Sequence, residues 1–261
     1  ETFEDMAKAA EALTDKSTNT YGFVARGLKN ANTPVWTTFM LGHGATPLSA
    51  DGKLQTESQG AVDAAKLYQR LMTKSAPPGV SGFNWAEAQS AFLQGKIGMW
   101  LDGVGFAPPI ENPEKSRVVG QVGYGIMPKG PNAQAAATTG DGIGVTAASQ
   151  KKEAAYLFCQ WAISHDMGAR LLQAGASVPF RQSILEDQKV REGVKMPGAW
   201  LDAVAGSAKV SQLALPVIIP VTEFRDIYGV ALTNMIGGAD PAAELKTATA
   251  QFEPVLARSE G

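Results

Sequence analysis

Residues 85–103 read WAEAQSAFLQGKIGMWLDG, and this stretch decides the fold. Asn84 and Glu87 form a capping signature, which predicts that a helix begins here. The apolar residues 97–101 follow the helix and are typical of a buried strand, and Asp102 then begins a turn. The stretch therefore predicts a capped helix that leads through a glycine turn into a strand.

The same alternation of helices and short strands runs along the rest of the chain, and no internal repeat interrupts it. This alternation favours an α/β architecture. Helical spacing predicts helices over about 3–13, 34–41, 61–72, 149–163, 222–236 and 241–256, and around Trp200; short strands are predicted at 21–25, 122–127 and 143–146.

The composition excludes several classes of protein. With 261 residues, 44% hydrophobic and 18% charged, the chain is long enough for one large or two ordinary domains. The formal charge of -2, with both signs dispersed, argues against a nucleic-acid partner. One cysteine and two histidines supply neither an internal disulfide nor a Cys/His metal cluster. Cys159 lies on the apolar side of a predicted helix, so we expect a buried thiol.

Motifs for nucleotide binding and for common hydrolases are missing. The glycine-rich residues 140–144 lack the G-x-G-x-x-G spacing, and neither a P-loop nor a G-x-S-x-G motif occurs. Three carboxylates, Asp102, Asp141 and Glu223, could supply an acid and a base for glycoside hydrolysis. A carbohydrate hydrolase therefore stays open as an alternative.

Aromatic residues near the ends of predicted elements suggest a sugar ligand. Trp36, Trp85, Trp100 and Phe106 lie close to turns as well as within apolar stripes. An aromatic ring packs well against the C–H face of a sugar, while neighbouring polar side chains bond its hydroxyls. The alternative for each residue is packing in the core.

Several segments, taken together and in order, resemble the extracellular solute-binding proteins of ABC importers, and most closely the maltose-binding-like, carbohydrate-type branch. The resemblance covers nearly the whole chain. It rests on Thr2 to Thr14 with Tyr21-Gly22-Phe23, on Trp85 to Gly103, on Ser149 to Ser164, on Gly175 to Arg181, and on Pro220 to Tyr228 with the Asp240-Pro241 helix.

The resemblance implies a periplasmic-binding-protein fold of type II, an α/β fold with two lobes joined by crossing segments. The chain begins where the family enters its C-terminal lobe, which implies that the first lobe is incomplete. That remnant is expected to expose apolar surface or to self-associate. The implied division is 1–137 and 189–261 for the C-terminal lobe, 138–142 for a crossing, and 143–188 for the remnant of the N-terminal lobe.

The resemblance also implies a ligand site in the cleft between the lobes. Asp102 would accept hydroxyl hydrogen bonds, Phe106 would stand in for a family tryptophan, and Arg181 would offer a planar donor fork. The remaining implied contacts are Asn32, Thr33 and Trp36 after the first strand, Gly140, Asp141 and Gly142 at the crossing, and Glu223 and Arg225 near the start of a late helix.

The implied function is to bind a sugar or polyol without chemical change and to deliver it to an ABC permease, with no cofactor. The implied location is periplasmic or extracellular, with a lipid anchor in a Gram-positive host, and we expect the signal peptide to lie outside this chain. Two alternatives remain: a hydrolase that uses Asp102 and Glu223, and a sensor or interaction module on the same fold.

Overall fold

A computed structural model describes residues 1–140, 142–179 and 181–260. The described residues form a largely helical α/β structure. Its helices are Phe3–Ala12 (α1), Thr33–Gly42 (α2), Gln59–Lys74 (α3), Trp85–Leu93 (α4), Lys152–Ala162 (α5), His165–Gln173 (α6), Gln182–Glu186 (α7), Gln188–Glu192 (α8), Gly198–Lys209 (α9), Val221–Ile236 (α10) and Pro241–Glu260 (α11), and its strands are Ala136–Thr138 (β1) and Ser211–Leu213 (β2).

The helix starts follow from local sequence signals. At α4, the Asn84 N–H donates to Glu87 Oε2 at 2.9 Å, and both halves of the capping box are formed. Thr2 and Asp5 form a second capping box at α1, in which the Thr2 N–H donates to Asp5 Oδ2 at 2.9 Å. The predicted capped helix at residue 85 is therefore confirmed.

Helices α1, α2, α3, α10 and α11 enclose the main core. Helix α2 is buried almost all round, because α3 and α10 cover it and β1 lies against it. Tyr228 stacks on Trp36 with ring centroids 5.7 Å apart, and Phe224 and Phe252 pack against the Tyr228 ring. The Tyr228 hydroxyl bonds Thr249 at 3.0 Å, so its polar atom is satisfied inside the core.

The predicted strands are shorter in the structure than the sequence suggests. Residues 21–25 and 97–101 meet only as two parallel bridges, Tyr21 with Ile97 and Val24 with Trp100. Residues 122–127 and 143–146 form no regular strand, so those two predictions are wrong. A strand needs a hydrogen-bonded neighbour, and none of the described segments pairs its backbone with these residues. The regular pairing is instead parallel, between β1 and β2.

A second group of helices, α6 to α9, packs around Leu172, Ile184 and Trp200. The Trp200 indole N–H donates to the Val104 carbonyl at 3.2 Å, which ties this group to the loop after residue 102. The proposed lobe boundaries remain a prediction.

Helix α5 has no buried residue. Its large apolar side chains Tyr156, Leu157, Phe158 and Trp161 are all more than half exposed. The expectation of exposed apolar surface in this segment is therefore confirmed. The expectation of a buried Cys159 is wrong, because the apolar side of α5 has no covering element and leaves this residue only half-buried. No helix in the described part of the chain is both long and apolar enough to cross a membrane.

Candidate ligand-binding site

The parallel bridges bring two charged side chains together. Tyr21 with Ile97 and Val24 with Trp100 share one register, and the same register places Arg26 beside Asp102. Both residues therefore come at the carboxyl ends of neighbouring parallel segments, the position where α/β proteins commonly bind ligands.

The two side chains form a bidentate ion pair. Arg26 Nη2 lies 2.6 Å from Asp102 Oδ1, and Arg26 Nε lies 3.1 and 3.0 Å from the two carboxylate oxygens. The Gly103 N–H also donates to Oδ1 at 2.6 Å. Only 3% of the Asp102 side chain is exposed, against 22% for Arg26. The pair is rigid and largely shielded from water.

An aromatic stack adjoins this pair. The Trp85 ring lies 4.8 Å from the Phe106 ring at an interplanar angle of 8°, and the Arg26 guanidinium carbon lies 5.4 Å from the Phe106 centroid. Gln89 Nε2 donates to the Phe106 carbonyl at 2.8 Å and holds that loop against α4. We call Arg26, Trp85, Asp102 and Phe106 the Arg26 cluster.

The Arg26 cluster combines an apolar face with charged polar groups. Trp85 remains 39% exposed, so part of its ring is open to a ligand. No partner for Arg26 Nη1 is seen among residues 1–140, 142–179 and 181–260, which leaves a donor available. An aromatic face beside a guanidinium fork suits the C–H surface and the hydroxyls of a sugar or polyol.

A groove of about 370 Å³ reaches the Asp102 end of the cluster. Trp100, Tyr124 and Trp200 line it, together with backbone of the adjoining extended segments. The Tyr124 hydroxyl donates to Glu111 at 2.7 Å, and burial together with the Glu111 carboxylate raises the pKa of Tyr124 above its ordinary value. Tyr124 is therefore a neutral donor already engaged with Glu111.

Three predicted contacts lie in the core instead. Trp36, Asn32 and Thr33 have no exposed surface. Trp36 Nε1 donates to the Ala61 carbonyl at 3.0 Å, and Asn32 Nδ2 bonds the Gly229 carbonyl at 3.0 Å. These side chains hold α2 against its neighbours and present nothing to a ligand in this arrangement.

The predicted contacts at the crossing are dispersed. Gly140 and Gly142 are exposed, and a side chain at either position would meet open space. Asp141 lies outside the described residues. Arg181 Nε donates to the Ile163 carbonyl at 3.1 Å, next to α5. The structure brings none of Gly140, Gly142 and Arg181 into the Arg26 cluster.

The two predictions on α10 differ in their surroundings. Glu223 is exposed in the first turn. Arg225 donates from Nη2 to the Asn30 carbonyl at 3.1 Å, and Asn30 in turn bonds Asp226 at 2.9 Å. Arg225 therefore fixes the loop that follows Arg26, without touching the cluster.

The prediction that includes Asp102 and Phe106 missed their partners. Arg26 directly follows the predicted strand 21–25, as Asp102 follows the strand 97–101. Parallel pairing of these two strands, had it been assumed, would have indicated that the two residues meet. Trp85 was recognised only as an aromatic residue near a helix start. Among the described residues, no group of three or more His, Cys, Asp and Glu side chains could hold a metal ion.

The family follows from comparison with known proteins. A sequence model of the bacterial extracellular solute-binding proteins matches residues 1–169, which is more than half of the chain. The chain therefore belongs to this family. Its fold is that of the type II periplasmic-binding proteins, as the resemblance implied.

Individual relatives include proteins that bind sugars or sugar alcohols. An erythritol/L-threitol-binding protein of Mycolicibacterium smegmatis is 26% identical over 257 residues, which covers 94% of this chain and 53% of the relative. A solute-binding protein of Agrobacterium radiobacter K84 in complex with ribitol has a TM-score of 0.86 and 29% identity, covering 97% of this chain and 64% of that protein. Maltose-bound MalE3 of T. maritima has a TM-score of 0.85 and 20% identity, covering 98% of this chain and 65% of that protein. The chain spans about half the length of the curated relatives it matches.

Proposed function

We propose that this chain binds a sugar or a sugar alcohol as part of the substrate-binding component of an ABC importer. The single observation that carries the proposal is the Arg26 cluster, where Phe106 contacts both the partly exposed Trp85 indole and the Arg26 guanidinium at the ends of two parallel segments. Relatives named for erythritol or L-threitol, or solved with ribitol, support the ligand class.

In the proposed complex, Trp85 supplies the surface against which the C–H face of the ligand packs. Arg26 Nη1 donates to a ligand hydroxyl, while Asp102 holds the guanidinium in position. A neutral polyol suits this arrangement because its hydroxyls accept from Arg26 without needing a counter-charge. Phe106 holds Trp85 and Arg26 in place, since its ring contacts both side chains.

We further propose that Arg181 and the crossing residues Gly140, Asp141 and Gly142 reach the ligand when the lobes close about the crossing. In the proposed division, Glu223 and Arg225 belong to the same lobe as the Arg26 cluster, and we propose that they contact the ligand from α10. Closure would bury the ligand, and the closed form would be recognised by the transmembrane permease. The protein would act outside the cytoplasmic membrane, in the periplasm or held at the cell surface by a lipid anchor. The ligand would leave unchanged, with no cofactor involved.

A hydrolase that uses Asp102 and Glu223 is the second candidate. The contacts of Asp102 argue against a hydrolase, because Arg26 and the Gly103 N–H already form hydrogen bonds with its carboxylate oxygens. A glycosidase acid must carry a proton and reach the glycosidic oxygen. The sensor or interaction module is distinguished by its expected failure to bind any small polyol.

A thermal-shift panel tests the proposal on the whole chain. Erythritol, ribitol, D-mannitol, maltose and a free amino acid are each added over a range of concentrations. A polyol or sugar that binds should raise Tm, because a ligand at about 100 times its Kd stabilises the folded state by about 2.7 kcal/mol. The amino acid should not. A panel without any shift from sugars or polyols would contradict the proposal.

A further inference from the structure

The two bridged segments stop pairing before the chain reaches Arg26. Their last bridge joins Val24 to Trp100, and the Leu101 N–H donates to the Val24 carbonyl at 3.0 Å. In the described part of the chain, neither the N–H nor the carbonyl of Arg26 forms a backbone hydrogen bond. The ladder that fixes the preceding residues therefore does not extend to Arg26, and its main chain needs another constraint.

Tyr68 supplies that constraint from the core. Its hydroxyl donates to the Arg26 carbonyl at 3.1 Å, and this is the only hydrogen bond to the Arg26 main chain among the residues that the structure describes. Tyr68 lies on α3 and has no exposed surface. Burial raises the pKa of Tyr68 above its ordinary value, so the hydroxyl keeps the proton that it donates. The packed ring therefore fixes the peptide group between Arg26 and Gly27.

The next peptide group is held in a similar way. The Gly27 carbonyl accepts from Asn32 Nδ2 at 3.2 Å and from Thr233 Oγ1 at 3.3 Å. The Gly27 N–H donates to the Phe83 carbonyl at 2.9 Å. Space is short here as well, because a Cβ on Gly27 would clash with the Val80 carbonyl oxygen. The main chain that follows the first bridged segment is therefore fixed by groups from α3, from α10 and from the start of α2.

The direction of the Arg26 side chain depends on this backbone. Arg26 Nη2 lies 2.6 Å from Asp102 Oδ1, and Nε lies within 3.1 Å of both carboxylate oxygens. Such a bidentate pair tolerates little rotation, because several hydrogen bonds must stay aligned at once. A small turn of the Arg26 main chain would break part of this pairing and would also change the direction of Nη1.

From this geometry we propose that Tyr68 is a positioning residue for the Arg26 cluster. Its hydroxyl holds the Arg26 main chain in the conformation that directs the guanidinium to Asp102 and leaves Nη1 available. With no exposed surface, Tyr68 acts through Arg26 and not by contact with a ligand. The contribution to ligand binding rests on the proposed function, whereas the effect on the Arg26 side chain does not.

Tyr68→Phe tests this assignment, because it removes the hydroxyl and keeps the ring. Tyr228→Phe is the matched control: Tyr228 also has no exposed surface, and its hydroxyl bonds Thr56 at 2.8 Å and Thr249 at 3.0 Å. Two quantities are measured on the whole chain. NMR gives the rate at which the Arg26 Nε–H exchanges with solvent, with its signal assigned by its loss in Arg26→Gln. Titration calorimetry gives the affinity for the best polyol of the panel.

Tyr68→Phe should speed exchange of the Arg26 Nε–H about tenfold and weaken polyol binding about fivefold, because the guanidinium loses its fixed direction. Tyr228→Phe should change neither quantity, although both variants should lower Tm. In the Arg26→Gln background, Tyr68→Phe should leave the affinity unchanged, since the group that it positions is gone.

Unchanged exchange in Tyr68→Phe, or equal acceleration in Tyr228→Phe, would overturn the proposal. A fivefold loss of affinity that persists in the Arg26→Gln background would also overturn it, because Tyr68 would then act by another route. If the parent chain binds a polyol, faster exchange with an unchanged Kd would overturn the role of Tyr68 in binding. Failure of the proposed function gives a different result, in which the parent chain binds no polyol while Tyr68→Phe still speeds the Arg26 exchange and supports the positioning role.

Discussion

Arg26 and Asp102 occupy matching register positions after two parallel segments, and their side chains meet at 2.6 Å. Neither residue can be moved without affecting the other, because the carboxylate is almost fully buried and the guanidinium is its main partner. The pair therefore links the packing of the parallel segments to the polar part of the proposed site.

Asp102→Ala should lower the free energy of unfolding by about 1–3 kcal/mol, because it leaves a half-buried guanidinium without its acceptor. Urea denaturation measures the change. Asp51→Ala is the matched control, since Asp51 pairs with Lys53 at 2.7 Å but both side chains are more than half exposed. That loss should not exceed about 1 kcal/mol. Equal losses of unfolding free energy in the two variants would show that the Arg26–Asp102 pair contributes no more to stability than an exposed ion pair.

Trp85→Ala should weaken binding of the proposed sugar or polyol about tenfold, because the ligand loses its stacking surface. Titration calorimetry with the ligand that gives the largest thermal shift measures the affinity. Trp161→Ala is the control, since Trp161 is also an exposed indole but lies on α5. An affinity that responds to Trp161 and not to Trp85 would place the ligand elsewhere.

The Arg70 contacts predict an acid-dependent loss of stability. Hydrogen bonds from Arg70 lower the pKa values of Glu4 and Glu11 below their ordinary value of 4.5. The unfolded chain therefore binds more protons in this range, so the stabilisation is present above about pH 4.5 and is lost as the pH falls below it.

Arg70→Gln removes the cause of this pKa difference. Urea unfolding between pH 7 and pH 3 should show a steeper acid loss in the parent chain than in the variant. Parallel stability curves for the two proteins would contradict the assignment of the depressed pKa values to Arg70.

Because the apolar side of α5 is exposed, we expect it to bind a hydrophobic dye and to contribute little to the stability of the fold. Replacing Leu157 and Phe158 with Ser should reduce the fluorescence of bound anilinonaphthalene sulfonate and leave Tm nearly unchanged. Leu172→Ala, in the buried side of α6, should instead cost about 2–5 kcal/mol. A double variant that loses as much stability as Leu172→Ala would show that α5 is packed in solution.

Sedimentation of the parent and the double variant tests whether this surface also drives self-association.

The helices and their caps could be predicted because their signals are local. Asn84 and Glu87 lie three residues apart and satisfy each other whatever the rest of the chain does. The strands were harder, because residues 122–127 show a strand pattern but need a partner that sequence periodicity does not supply. Pairing between distant segments is also why the sequence indicates Asp102 as a candidate but not its partner Arg26.

The aromatic residues show a second limit of sequence analysis. Trp36 and Trp85 both lie near the start of a helix, yet the first is fully buried and the second is 39% exposed. Apolar periodicity reports that a side chain favours burial, and it does not distinguish a core from a ligand surface. The packing of Tyr228, from nearly 200 residues away, decides the position of Trp36.

The proposed function requires that the chain bind a polyhydroxylated ligand at the Arg26 cluster and release it unchanged. Titration calorimetry with the best polyol of the panel, followed by chromatographic and mass analysis of the recovered ligand, tests this most directly. We expect saturable binding with a Kd of about 1 μM, equivalent to about -8 kcal/mol, and complete recovery of the intact compound. Binding heat that is unaffected by Trp85→Ala and Arg26→Gln together, or recovery of a cleaved product, would contradict it.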